Sequence, residues 1–295
     1  MGLAWQQGPL ATGAVGRFLV AEPPPQRLLY AEPLRRRMRV TFAGAQIAQS
    51  DDVVLLHQPG RYPVAYFPRG DITDGFLHLG PHTTEHPELG PTAWYAVRHG
   101  DRDAPRGAWE HTALPDFAGM LQGRIAFAWH AMDAFYEEEE RIVGHAADAY
   151  HRIDIRRTAR RLTVHAGDRP VADTTQPLVL FESGFAPRWY VPTQDVVAEA
   201  LVPVTRQTFC PYKGLCSYYD VAGVSRAGWS YHEPYREVDR IADHISFEPD
   251  KVTVTIDGQR LRAEPGQNVV SHGPDRGLTP DEVATCPAPS RKELP

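Results

Sequence analysis

Cys210 and Lys213 stand three residues apart around Pro211, in a stretch that also holds Tyr212, Cys216, Tyr218 and Tyr219. On a turn, the lysine ammonium can lie near the sulfur, lower its pKa and make a better nucleophile. A buried cysteine packed as a small hydrophobe fits the same spacing. Lys213 also offers a partner for an anion, or an imine if desolvated; a surface salt bridge is the plainer reading. Tyr190, Tyr212, Tyr218, Tyr219 and Trp229 crowd the same half of the chain. Such rings suit a pocket wall for a planar ligand, and equally the core of a small β domain.

Two further groups carry weaker signals. Glu137, Glu138, Glu139 and Glu140 read first as a solvated edge. On a strand, alternate members face opposite ways, so an inward carboxylate can act as general acid or base. His86 stands where the other half has Cys210, as a loop histidine or a ligand-facing one. No metal site is expected. His78, His82 and His86 recur every four residues, but proline and glycine between them prevent one helix from lining them up. No phosphate-binding glycine loop and no nucleophile elbow is present. No cofactor is expected.

These groups need a scaffold, and composition bounds it. The 295 residues are 42% hydrophobic and 23% charged, as in ordinary globular proteins. The 27 prolines and 24 glycines point to many short elements and turns. A net charge of −6 argues against a broad nucleic-acid surface, and no apolar run reaches a membrane span. Three unevenly placed cysteines make no disulfide framework, and Met1 to Trp5 lacks the pattern of a signal peptide. A cytoplasmic setting is the expectation.

Short alternating runs such as Arg39 to Phe42, Val53 to His57 and Pro63 to Pro68 read as strands. Pro115 starts a short helix to Leu121, and Pro234 starts another. The chain then repeats itself. At an offset of 124, Gly60, Pro63, Tyr66, Pro68, Pro87 and Gly90 meet Gly184, Pro187, Tyr190, Pro192, Pro211 and Gly214. Arg39 to Phe42 is matched with Arg161 to Val164, and at an offset of 120 Trp109, Ile125 and Phe127 meet Trp229, Ile245 and Phe247. Two copies mean two similar domains. The expected layout is an arm over 1–37, a β domain over 38–142, a linker over 143–160, a second β domain over 161–272 and a tail over 273–295.

Phe209 to Gly214, Ser217 to Tyr219, Ala227 to Tyr231 and Ile245 to Phe247, with Gly123 to Trp129 and Met132 to Glu140 in the first copy, resemble the family called domain of unknown function 427. The resemblance implies a mainly β fold: two tandem tent-like antiparallel domains, each with one short helix. The family carries a nucleotidyltransferase label, but this chain has no Gly-Ser pair followed by spaced aspartates for metal. Each half keeps a different part of the family pattern, which suggests a composite site. The expected function is a cytoplasmic, cofactor-independent enzyme acting on a small organic molecule, in an aromatic pocket of the second repeat or between the repeats. The residues expected to act are Cys210, Lys213, Glu137 and Glu138. The alternative is a non-catalytic protein that binds a small molecule or a partner. No nucleic acid or membrane partner is expected.

Overall fold

The structure, a computed structural model, describes residues 8–262 except 12, 15 and 26. The chain divides into two compact units that meet in sequence at Asp148 and Ala149.

The first unit has eleven strands: β1 (Tyr30–Pro33), β2 (Met38–Phe42), β3 (Ala45–Ser50), β4 (Val54–His57), β5 (Val64–Pro68), β6 (Leu77–His86), β7 (Gly90–His99), β8 (Arg102–His111), β9 (Arg124–Phe127), β10 (Ala134–Glu137) and β11 (Glu140–Ile142). They form a seven-stranded sheet in the order β1-β4-β5-β9-β8-β7-β6 and a four-stranded sheet in the order β11-β10-β2-β3. Every pairing is antiparallel. Met38, Val40 and Phe42 alternate inward from the small sheet and meet Leu55, Phe67, Val97 and Ile125 of the large one in one core.

The second unit repeats this with β12 (Ile153–Arg157), β13 (Leu162–Ala166), β14 (Arg169–Thr174), β15 (Leu178–Glu182), β16 (Arg188–Pro192), β17 (Leu201–Cys210), β18 (Gly214–Val221), β19 (Val224–Ser230), β20 (His244–Phe247), β21 (Thr253–Ile256) and β22 (Gln259–Arg260). The sheet orders are β12-β15-β16-β20-β19-β18-β17 and β14-β13-β21-β22. Leu162, Val164, Val171, Val191, Ile245 and Val254 fill the space between the sheets. The outer face of the large sheet carries a second cluster, with Ile155, Leu180, Tyr190, Cys210, Cys216 and Tyr231.

The structure corrects several expectations. The arm is not wholly outside the first domain, because β1 pairs with β4 as an edge strand. Nor is the linker only a connector: Ile153 and Ile155 alternate as a strand should, and β12 pairs with β15. The two short helices are six-residue 3-10 turns, Asp116–Leu121 and Arg236–Ile241, each kinked at its third residue, Ala118 and Val238. The match of Arg39 with Arg161 is two residues out of register. Arg37 and Arg161 are the equivalent pair, since each caps a turn acid (Glu138, Asp257) through its N–H and pairs with an aspartate (Asp51, Asp173). A two-residue slip keeps every side chain on its own face, so the sequence pattern hides it. The tail over 273–295 lies outside the described residues, as do 263–272 of the second domain.

Candidate functional site

The turn from Cys210 to Gly214 joins β17 to β18. Gly214 has φ +94°, a left-handed conformation that glycine adopts without strain, so the chain reverses there. The Lys213 N–H bonds the Cys210 carbonyl at 3.3 Å, and the Lys213 carbonyl accepts the Tyr235 N–H at 3.2 Å. These bonds turn the Lys213 side chain inward, where the residue is 7% exposed.

There it meets Glu182 at the end of β15. Lys213 Nζ lies 2.5 Å from both carboxylate oxygens. His151 Nε2 lies 3.0 Å from Glu182 Oε1. The His151 ring stacks on Tyr212, with centroids 3.6 Å apart and planes 15° from parallel. His151 Nδ1 is buried and has no hydrogen-bond partner among the described residues. Around Lys213, Glu182 and His151 stand Tyr190, Tyr218, Trp229 and Tyr231. Tyr218 and Thr208 share a hydroxyl contact at 2.9 Å.

Burial sets the ionisation of this cluster, modified by the charges within it. Burial pushes the Glu182 carboxyl up, but the Lys213 charge and the His151 contact outweigh it, and the carboxyl ends far below its ordinary range. Burial disfavours the Lys213 ammonium, yet Cys210 and Glu182 hold its pKa above the usual value. His151 is pushed down by burial against the pull of Glu182. Burial raises Cys210 despite Lys213 nearby, and raises Cys216 to about 12. The expected lowering of the Cys210 pKa is therefore reversed: desolvation of the thiolate exceeds what the ammonium returns, because that ammonium is already shared with Glu182.

The other sequence candidates are placed as follows. Tyr219 points to the opposite face from Tyr218, with its hydroxyl 2.8 Å from His232 Nε2. Glu137 is the last residue of β10 and is 7% exposed; it pairs with Arg36 and accepts the Ala147 N–H at 3.2 Å. Glu138, at φ +49°, starts the two-residue turn to β11 and accepts the Arg37 N–H. These two acids hold backbone within the first unit. His86 Nε2 lies 2.9 Å from Gln58 Oε1, and its Nδ1 accepts the N–H groups of Glu88 and Leu89.

The duplication makes His86 informative. At the offset of 124, His86, Gln58 and Leu89 occupy the places of Cys210, Glu182 and Lys213. The same turn thus carries a neutral amide and a leucine in one copy and a buried ion pair in the other. Above Leu89 the first unit has an apolar groove of about 350 Å³, walled by Leu29, Leu56 and Phe117. Sequence reasoning missed Glu182 and His151. His151 lay in the stretch read as a linker. Glu182 was findable, because at one offset a glutamine and a leucine become a glutamate and a lysine together.

Residues 30–138 and 154–258 both match the domain of unknown function (DUF427). The chain belongs to the DUF427 family. It carries two DUF427 copies in tandem, and their limits include β1 and all but the first residue of β12. The curated proteins include no match to it. No helix among the described residues is long and apolar enough to cross a membrane.

Proposed function

We propose that this DUF427 protein is an enzyme that moves protons on a small organic molecule, with its working centre in the second repeat. His151 is the general base or acid at Nδ1. Glu182 orients it through Nε2 and stabilises its charged form, and Lys213 keeps Glu182 ionised. Tyr190, Tyr212, Tyr218 and Trp229 supply the surrounding surface. Cys210 stays a thiol and packs beside the centre.

The observation that carries this reading is the pair Lys213–Glu182 where the first copy has Leu89 and Gln58. The fold forms without the charges, and a buried ion pair is weak support for stability. Something other than folding retains it. The neutral state of His151 near neutral pH suits a base, and the tautomer follows from the Nε2 contact with a carboxylate. Two buried free thiols suit a reducing compartment such as the cytoplasm.

The test incubates the protein with a small-molecule extract in deuterium oxide and follows label uptake by mass spectrometry. A compound labelled by the wild type and not by His151→Ala or Lys213→Met supports the reading. No compound labelled above the protein-free control overturns it. One observation favours recognition without turnover: Lys213 spends both short contacts on Glu182. On that reading, native mass spectrometry finds a compound retained and unchanged.

A further inference from the structure

The other face of β15 borders a second cavity in the second repeat. Strand alternation sends Leu178, Leu180 and Glu182 one way and Val179 and Phe181 the other. On the Phe181 side lies a half-open cavity of about 500 Å³, a size that accepts a small ligand. Phe181 and Trp189 give it aromatic walls. Four arginines line it (Arg156, Arg160, Arg188 and Arg262), and among the described residues no aspartate or glutamate does. This runs against a chain whose net charge is −6.

The side chains are set up for an anion with an apolar body. The Arg160 guanidinium lies over the Trp189 ring at 5.4 Å. Phe181 is 45% exposed, unusual for a phenylalanine on a sheet. Arg156 and Arg160 have aspartate partners, Asp154 and Asp257, in exposed pairs that hold the guanidinium groups loosely. In the first repeat, Ala146 packs in one cluster with Leu34, Leu55 and Ala65, which stand where the second has Thr158, Val179 and Trp189. Ala146 is fully buried there, and His145 stacks on Tyr62 with centroids 4.1 Å apart. Tyr62 and Ala65 of that copy stand where the second has Ala186 and Trp189.

We infer that the arginine-lined cavity of the second repeat binds an aromatic or otherwise apolar carboxylate, with its ring against Phe181 and Trp189 and its carboxylate on Arg156, Arg160 and Arg262. Charge-assisted contacts to guanidinium supply the anion selectivity, and the rings supply affinity.

The probe is anilinonaphthalene sulfonate, an aromatic anion whose fluorescence rises on binding, titrated into the full chain and displaced by naphthoate or by neutral naphthamide. Naphthoate should displace it about tenfold better than the amide, as one charge-assisted contact implies. Phe181→Ala and the double variant Arg156→Gln/Arg262→Gln should each weaken binding by about that factor. These side chains are at the surface, and an unchanged melting temperature shows that the variants fold. Phe117→Ala, in the apolar groove of the first repeat, should leave binding unchanged. Equal displacement by the amide, or binding unaffected by the cavity variants, overturns the inference. None of these outcomes depends on turnover at His151.

Discussion

At the scale of single residues, Lys213 and Glu182 are bound to each other's fate. Removing the lysine alone strands a carboxylate in a buried site. Lys213→Leu should therefore destabilise the second repeat by about 3–5 kcal/mol in urea denaturation. Adding Glu182→Gln recreates the first repeat's Leu89 and Gln58, and should recover most of that loss, since the amide still accepts from His151. A double variant as unstable as the single one would mean that the charges hold the fold together. The neighbouring thiols give a second test. Burial raises both pKa values, so Cys210 and Cys216 should resist a small alkylating reagent near pH 8 in the native protein and react only on unfolding, as peptide mass spectrometry would record. Rapid native modification of Cys210 would contradict the burial that the site is built on.

At the scale of elements, strands were legible from alternation and turns from glycine and proline. The edge strands were not: β1 follows a proline-rich run and β12 runs into an arginine-rich one, and both owe their extended pairing to a neighbour far along the chain. The Cys-Pro-Tyr-Lys-Gly turn was readable as the organising stretch, but its partner on β15 was not, because sheet order brings together residues 31 positions apart. The four glutamates read as one acidic run; they are a hairpin, with Glu137 turned in and Glu138 at the bend. The turns at Gly90 and Gly214 show what the backbone demands. Both have positive φ, and a Cβ on Gly90 would come within 2.9 Å of the Ala113 carbonyl oxygen, against 3.4 Å from the nearest atom at Gly214. Left-handed strain costs an alanine about 1–2 kcal/mol at either site. Gly90→Ala should cost more than Gly214→Ala, because only there must backbone also move. Equal denaturation midpoints would show that the turn yields.

At the scale of the whole molecule, the sequence revealed the duplication but not what it is for. A repeat is found by what its copies share, whereas function resides in what they do not. The second copy has gathered the groups that lose a proton in alkali. Cys210 and Cys216 ordinarily ionise near 9.0, Tyr190, Tyr218 and Tyr231 near 10.0 and Lys213 near 10.5, and all are shifted upward in the fold. For each, the unfolded chain gives up its proton at lower pH than the folded one. The stability they confer is complete below those ordinary values and is lost as pH rises past them. Among the described tyrosines, cysteines and lysines of the first copy, only Tyr66 and Tyr95 are shifted in this way. On the acid side both copies lose support: burial lowers His111 of the first from 6.5 to about 4, so its contribution falls away as pH drops through that window, and the lowered His151 and Glu182 of the second lose theirs in the same direction. An alkaline titration followed by circular dichroism should therefore show two steps. In the first, beginning above about pH 9, close to half of the strand signal should go as Cys210 and Cys216 become open to alkylation. A single step, or cysteines still protected after the first, would mean that the two copies unfold as one and that the buried groups of the second do not set its limit.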